Sequence, residues 1–158
     1  NILQPGSGVG GHCIAVDPWF IVAQNFDESK LIRTSREVND YKPSWVYEEI
    51  IKLAQKIDSS KEVTIVCFGA TFKPDIDDIR ESPAIQIIKK LSNSNYNLAV
   101  SDPNIKKYDN LELVSIDDAL NKGDIFVILV KHKEFMEDNF KKRLADKKVI
   151  DFCGALQS

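Results

Sequence analysis

A cysteine and an aspartate four residues apart follow a glycine-rich stretch near the start of the chain. The stretch reads GSGVGGHC and ends at Cys13, with Asp17 beyond it. Glycines leave backbone N–H groups free to donate, and such donors stabilise a thiolate or an oxyanion formed by its attack on a carbonyl. If the turn is helical, Asp17 shares the face of Cys13 and is suited to hold a water. The residue types leave two readings open, a nucleophile and a cysteine packed as a small apolar residue.

The same glycine stretch matches the G-x-G-x-x-G pattern of dinucleotide-binding loops. That motif requires a strand before it, a helix opening on it, and an acidic residue about 20 positions later at the end of a second strand. Only NILQP precedes Gly6, and no strand pattern follows before residue 63. The context therefore argues against a cofactor fingerprint and favours a glycine-walled pocket.

The elements around this stretch are predicted to be helical. Asp17-Pro18 is suited to start a short helix, because proline is favoured in a first helical turn. Residues 28–57 carry apolar side chains at helical spacing, and Pro43 either starts a second helix or kinks one long helix. Residues 58–61 are expected to form a polar link.

Strand and helix patterns alternate after this link. Short apolar runs predict strands at 63–68, 98–101, 111–114, 125–130 and 149–152. Ser82-Pro83 and Ser115 are expected to cap helices, and a further helix is predicted over 133–144. Alternation predicts a parallel sheet covered on both faces, with strand order 3-2-1-4-5. The chain is thus expected to be α/β, with a helical segment (1–58) and a Rossmann-like domain (59–158).

The connection from the first strand to the following helix, residues 69–82, is long for a βα loop, where about 2–6 residues are usual. It is expected at the carboxyl end of the sheet, where α/β domains bind ligands. Its cations Lys73 and Arg80 predict an anionic ligand. Three of its acidic residues are predicted to be exposed to solvent without a role in binding: Asp75, Asp77 and Asp78.

Four further residues are weaker candidates for function. Asp102 and His132 end the second and fourth predicted strands, where contacts with a ribose and a phosphate are conceivable roles. Cys67 lies within a strand and is predicted to be core, and Cys153 follows the last strand.

Composition excludes several classes of function. The chain has 158 residues with a net charge of −3, and no basic run favours nucleic acid. No apolar run approaches the ~18 residues of a membrane span. Three cysteines without a CxxC pair fit a reducing cytoplasm, and two histidines argue against a metal cluster.

Two long segments carry a resemblance to a known family. GVGGHCIAVDPWFIV and FKPDIDDIRESPA resemble the nucleotide-sugar 6-dehydrogenases, a family that includes UDP-glucose and GDP-mannose dehydrogenases. The resemblance covers essentially the whole chain. LIRTSREVNDYKPSWV and the histidine before Cys13 favour the branch that oxidises UDP-N-acetyl-D-mannosamine. Val16 stands where UDP-glucose enzymes commonly carry a lysine. UDP-N-acetylglucosamine, UDP-glucose, a non-catalytic UDP-binding or dimerisation module, and a different thiol-dependent enzyme remain alternatives.

The resemblance implies a fold, a reaction and partners. The family joins an N-terminal NAD-binding domain, a long central helix used in dimerisation, and a C-terminal UDP-binding domain. This chain resembles only the last part, so the main NAD-binding domain is expected to be absent from it. The implied reaction oxidises the C6 alcohol of a UDP-sugar to a uronic acid for surface polysaccharide, with NAD as cofactor, in a cytoplasmic homodimer.

The resemblance also implies residue roles. Cys13 matches the nucleophile that forms a thiohemiacetal and then a thioester, and Asp17 matches an aspartate that positions water. A thiol is needed because C6 of an aldehyde can lose a second hydride only after a nucleophile has added to it, and the thiol is that nucleophile. The remaining matches surround the ligands: Gly8, Val9 and Gly10 wall the sugar and nucleotide, Phe72 and Lys73 contact the UDP-sugar, and Arg80 reaches NAD.

Overall fold

The computed structural model describes residues 3–57, 62–107, 111 and 113–157, and the predicted link at 58–61 lies outside these ranges. Helices and strands alternate as the pattern predicts. In chain order the elements are α1 (Asp17–Gln24), α2 (Lys30–Ala54), β1 (Thr64–Phe68), α3 (Pro83–Ser92), β2 (Asn97–Ser101), α4 (Ile116–Lys122), β3 (Ile125–Ile128), a 3-10 helix (Lys133–Met136), α5 (Asp138–Leu144) and β4 (Lys148–Asp151).

The four strands form one parallel sheet in the order β2-β1-β3-β4. This order confirms the prediction for four of the five predicted strands. The fifth, expected at 111–114, contributes a single parallel bridge between Leu113 and Val100 in the described residues. The chain crosses from one side of β1 to the other between β2 and β3. The carboxyl ends of β1 and β3 are therefore the point where α/β sheets open a ligand crevice.

Each face of the sheet is covered by helices, which gives the fold two apolar layers. One layer packs α2 and α3 against one face, and its fully buried side chains include Val46, Ile50, Ile65, Ile87 and Val127. The other packs α4 and α5 against the opposite face around Val66, Phe68, Phe126, Ile128 and Phe135. Strand side chains alternate between these layers, as the pleat requires.

Pro43 lies inside α2, which continues as one helix of 25 residues. The alternative of one long helix is therefore the observed one. The carboxyl half of α2 packs on the sheet layer, and the Trp45 ring meets Phe152 edge-on at 6.0 Å. The amino half extends past the sheet toward α1.

The caps predicted for α3 and α4 are confirmed. Ser82 Oγ accepts the N–H of Ile85 at 3.3 Å, with Pro83 in the first turn, and Ser115 Oγ accepts the N–H of Asp118 at 3.1 Å. Ser82 Oγ also donates to the carbonyl of Ala70 at 2.7 Å. The start and end of the β1–α3 loop (residues 69–82) are thereby tied together.

The single helix predicted over 133–144 is wrong in one respect, because the chain breaks at Glu137, where ψ is 142°. Phe135 and Phe140 both pack against Phe68, with ring centroids 5.2 and 4.9 Å away. In a continuous α-helix of 3.6 residues per turn, side chains five positions apart point about 140° apart. The break allows both rings to enter the same core.

Candidate active site

The glycine stretch belongs to a segment of bends and turns, residues 6–16, called here the cysteine loop. Asn39 of α2 holds it with two hydrogen bonds: its Oδ1 accepts from Val9 N at 2.8 Å, and its Nδ2 donates to Val9 O at 3.0 Å. Ser7 Oγ donates to the carbonyl of Leu129 at 3.1 Å. Two helices, α1 and α2, follow the loop before the first strand of the sheet, an order that does not fit the strand–loop–helix–strand unit of a dinucleotide fingerprint.

The glycines allow the cysteine loop to approach the β1–α3 loop closely. Gly11 N donates to the carbonyl of Arg80 at 3.2 Å. A Cβ on Gly10 would lie 2.2 Å from the carbonyl oxygen of Glu81, and one on Gly11, whose φ is +91°, would lie 2.8 Å from the Phe72 ring. Only glycine fits at these two positions. The contact brings Cys13 to the loop that carries Phe72, Lys73 and Arg80.

Cys13 is exposed at the end of the cysteine loop, which excludes the reading of a packed thiol. Its carbonyl accepts hydrogen bonds from Val16 N at 3.0 Å and Asp17 N at 2.8 Å. The second bond spans four residues, so the turn is helical and the condition for Cys13 and Asp17 to share one face is met. Both side chains are open to solvent and to a ligand.

The other two thiols are poor nucleophiles. Cys67 is fully buried within β1, and burial raises its pKa to about 12. Burial also raises the pKa of Cys153 to about 12, with a further contribution from the charge of Asp151. Because thiolates, not thiols, attack carbonyls, neither group is reactive near neutral pH.

Arg80 and Asp78 form an exposed pair beside Cys13. Arg80 Nε donates to Asp78 Oδ1 at 3.0 Å and Nη2 to Oδ2 at 2.5 Å, and these bonds lower the pKa of Asp78 to about 2. Hydrogen bonding and charge from Asp78 raise the pKa of Arg80, with a smaller contribution from Cys13. The backbone of Arg80 contacts the cysteine loop, since its carbonyl accepts from Gly11 N. The prediction that Asp78 is merely solvated is wrong.

The β1–α3 loop presents Phe72 and Lys73 next to the cysteine loop. Phe72 packs its ring over Gly11, and its N–H donates to the carbonyl of Asp78 at 3.1 Å. Lys73 is exposed, while its carbonyl accepts from Thr71 Oγ1 at 2.9 Å. The side chain is thus free to meet an anion, and its backbone is held.

Asp102 and His132 are not ligand contacts, because both side chains are fully buried and pair with each other at 3.1 Å. Asp102 also accepts from Ala70 N at 2.7 Å and Asn104 N at 2.8 Å. Burial acts to raise the pKa of Asp102, but hydrogen bonds from His132 and these N–H groups hold it below the usual value. The ribose and phosphate roles that the sequence left open are excluded, since these residues support the β1–α3 loop from beneath.

Asn39 and Arg36 are candidate site residues that the sequence does not single out. They line a cavity of about 300 Å³ between the cysteine loop, α1, α2 and the start of α3. Arg36 is buried there, and its Nη2 donates to Asp40 at 2.8 Å. The Arg36–Asp40 spacing of four residues signals a helical ion pair, whereas the contact of Asn39 with Val9, thirty residues away, leaves no mark in sequence.

Family models match both parts of the chain. The UDP-binding domain of the UDP-glucose/GDP-mannose dehydrogenase family matches residues 66–158, more than half of the chain. The central domain of the same family matches residues 1–41. The chain belongs to this family. The resemblance inferred from the two long motifs is confirmed.

Curated relatives lie within the same family. The chain is 50% identical over 161 residues to a UDP-N-acetyl-D-mannosamine dehydrogenase of Campylobacter jejuni, covering 97% of the chain and 37% of that protein. An NDP-N-acetyl-D-galactosaminuronic acid dehydrogenase of Ralstonia solanacearum is 46% identical over 159 residues, covering 98% of the chain and 37% of that protein. The chain thus spans little more than a third of these relatives.

Solved structures confirm the α/β Rossmann-like fold. The UDP-N-acetyl-mannosamine dehydrogenase Cap5O from S. aureus superposes with a TM-score of 0.79 at 35% identity, over 100% of this chain and 37% of that one. A UDP-D-ManNAc dehydrogenase from Pyrococcus horikoshii superposes with a TM-score of 0.82 at 27% identity, over 98% of this chain and 37% of that one.

The helices of the described residues include none with the length and apolar composition of a membrane span. The same residues contain no cluster of metal-ligating side chains.

Proposed function

We propose that the chain supplies the nucleophile and the UDP-binding part of an NAD-dependent UDP-N-acetyl-D-mannosamine 6-dehydrogenase. The observation that carries the proposal is the contact of the cysteine loop, with its exposed Cys13, against the β1–α3 loop and its cations. Residues 1–58 form the cysteine loop and central helical segment in this proposal, and residues 59–158 form the UDP-binding domain. Relatives named for this activity support the choice of substrate.

The proposed chemistry uses Cys13 between two oxidations. The C6 alcohol first loses a hydride and a proton to become an aldehyde. Cys13 Sγ then adds to C6, and the former carbonyl oxygen takes a proton, which gives a thiohemiacetal. Loss of a second hydride and that proton from this adduct leaves a thioester. Water, held by Asp17, adds to C6, the C–S bond breaks, and the carboxylate and the thiolate are released.

When bound, NAD⁺ would supply the hydride acceptor for both oxidations, so one sugar alcohol and one water with two NAD⁺ would yield one carboxylate, two NADH and three protons. Its main binding domain lies outside these 158 residues in the proposal. Arg80 fits a contact with the dinucleotide, because its side chain is 62% exposed and its backbone carbonyl accepts from Gly11 N of the cysteine loop. A cation there suits a phosphate near the reacting atom.

The UDP-sugar is proposed to bind across the two loops. Lys73 is an exposed cation at the carboxyl end of the sheet and suits a diphosphate as a point charge. Phe72 and the backbone of Gly8, Val9 and Gly10 form the wall. In this proposal the enzyme is cytoplasmic, and its uronic acid product is used in the synthesis of surface polysaccharide.

A comparison of three substrates tests the proposal. A polypeptide that joins these residues to the NAD-binding domain is expected to reduce two NAD per sugar with UDP-N-acetyl-D-mannosamine, and to favour it over UDP-N-acetylglucosamine and UDP-glucose. The 158-residue chain alone is expected to bind UDP and reduce no NAD. NADH absorbance and mass spectrometry of the sugar give both readouts. Higher kcat/KM with UDP-glucose, or NAD reduction by the chain alone, would contradict the proposal.

The exposed face of α1 and α2 supports a homodimer. Large apolar side chains stand open to solvent along these helices: Phe20, Ile21, Leu31, Val38 and Tyr41. Large apolar side chains exposed in this number on two neighbouring helices mark an interaction surface. We expect sedimentation to give twice the chain mass, and Leu31→Asp with Val38→Asp to give the monomer. A monomeric wild type, or a dimer that survives both changes, would exclude this face as the interface.

A further inference from the structure

His132 is the only histidine beneath the β1–α3 loop, and its ring is fully buried. Its Nδ1 lies 3.0 Å from the backbone nitrogen of Asp75, and its Nε2 lies 3.1 Å from Asp102 Oδ2. A backbone N–H can only donate, so Nδ1 accepts and carries no proton. The proton of the neutral ring is then on Nε2 and is donated to the Asp102 carboxylate. One tautomer thus links a buried carboxylate to a loop amide.

The amide that His132 holds belongs to a turn with unusual backbone geometry. Asp75 has a φ of +57°, in the left-handed region that is unfavourable for residues other than glycine and only moderately tolerated by aspartate. The Asp75 carboxylate also accepts from Lys133 N at 3.1 Å, just beyond His132. The bonds to His132 and Lys133 stabilise this conformation from two directions.

Lys73 lies two residues before that amide. Its carbonyl accepts from Thr71 Oγ1 at 2.9 Å. Thr71 Oγ1 also lies 3.2 Å from His132 Nε2. Because the Thr71 proton goes to the Lys73 carbonyl, Thr71 Oγ1 can only accept, and it shares the Nε2 proton with Asp102. Asn104 Nδ2, 2.9 Å from Nδ1, shares the Nδ1 lone pair with the N–H of Asp75. The backbone on both sides of Lys73 is therefore anchored to one imidazole.

We propose that His132 is a positioning residue for the nucleotide-sugar site, which holds Lys73 toward the ligand phosphates through the N–H of Asp75. The inference rests on the proposed function of Lys73. His132 touches no ligand itself, since none of its side chain reaches the surface. Its effect comes from fixing the backbone that carries a long and flexible cation, which reduces the entropy lost on binding.

Two substitutions separate the two ends of the ring. In His132→Asn, the amide oxygen stands as many bonds from Cα as Nδ1 and can still accept from Asp75, while the link to Asp102 is lost. In His132→Gln, the amide nitrogen stands as far out as Nε2 and can still donate to Asp102, while the acceptor for Asp75 is lost. Each variant removes one hydrogen bond made by the ring, so both are expected to lower the melting temperature by similar amounts.

Three measurements on the 158-residue chain test the proposal: hydrogen exchange at the Asp75 amide, UDP affinity by calorimetry, and melting temperature. We expect His132→Asn to keep slow exchange and to bind UDP within about threefold of wild type. His132→Gln is expected to lose the protection and to bind UDP about tenfold more weakly, the size of one net hydrogen bond. Lys73→Ala is the reference, with weak UDP binding and unchanged exchange.

Equal losses of UDP affinity in the two variants, in proportion to their melting temperatures, would overturn the proposal and reduce His132 to a packing role. Unchanged exchange at Asp75 in His132→Gln would overturn it as well. If the wild-type chain binds no UDP, the proposed function fails. The positioning of the loop is then decided by the exchange comparison alone.

Discussion

The Cys13→Ser variant of the enzyme, joined to its NAD-binding domain, is expected to make no uronic acid. A serine hydroxyl is far harder to ionise than a thiol, and the serine oxygen of the ester formed by the second oxidation leaves less readily than a thiolate when water releases the acid. We expect acid formation to fall by more than about a thousandfold, a loss typical of removing a nucleophile. Mass spectrometry of the sugar measures it, with the aldehyde supplied as substrate to isolate the second oxidation.

Cys153→Ser is the matched control for that substitution. Its thiol is largely buried, donates toward Asp151 Oδ1 at 3.5 Å, and has a pKa raised to about 12 by burial first and by Asp151 second. Serine can keep that hydrogen bond, so both oxidations should proceed at the wild-type rate. Full acid production by Cys13→Ser, or its loss in Cys153→Ser alone, would remove Cys13 from the mechanism.

The Gly10→Ala variant is expected to separate the cysteine loop from the β1–α3 loop. The added methyl would lie 2.2 Å from the carbonyl oxygen of Glu81, 2.8 Å from Pro83 Cδ and 3.0 Å from Phe72 Cβ. Backbone must therefore move, at a cost of about 1–3 kcal/mol in the free energy of unfolding. Displacing Cys13 by even about 1 Å from its substrate is expected to lower kcat about a hundredfold.

Gly6→Ala provides the control within the same loop. A Cβ at Gly6 meets no heavy atom within 4 Å, so this variant should match wild type in both stability and kcat. Chemical denaturation and steady-state kinetics measure the two quantities. If Gly10→Ala behaves like Gly6→Ala, the close contact between the loops is unnecessary for the site.

Most of the fold could be predicted because its signals are local. Short apolar runs mark β1, β2, β3 and β4, and Ser82-Pro83 marks the start of α3. The break at Glu137 could not be predicted, because it depends on two phenylalanines reaching one distant ring. The strand predicted at 111–114 gives only one bridge to β2, between Leu113 and Val100. Its apolar residues are suited to a strand, but pairing at the edge of a sheet also depends on the neighbouring structure, which the sequence does not show.

The candidate site divides in the same way. The motifs around Cys13 and Lys73 could be found because each is a continuous string of residues. The pairing of Asp102 with His132 could not, because both follow strands and the sequence does not show whether such side chains face a ligand or each other. The same holds for Asn39, whose partner Val9 comes near only after α1 and α2 have packed.

The unbroken course of α2 through Pro43 has a mechanical consequence. Twenty-five residues at 1.5 Å each span about 37 Å. The carboxyl half packs on the sheet, and Asn39, within the amino half, bonds both polar backbone groups of Val9 in the cysteine loop. A tilt of the amino half of α2 would move the cysteine loop, because Asn39 bonds both polar backbone groups of Val9. A partner that binds the exposed side of α2 is therefore expected to alter the position of Cys13 as well.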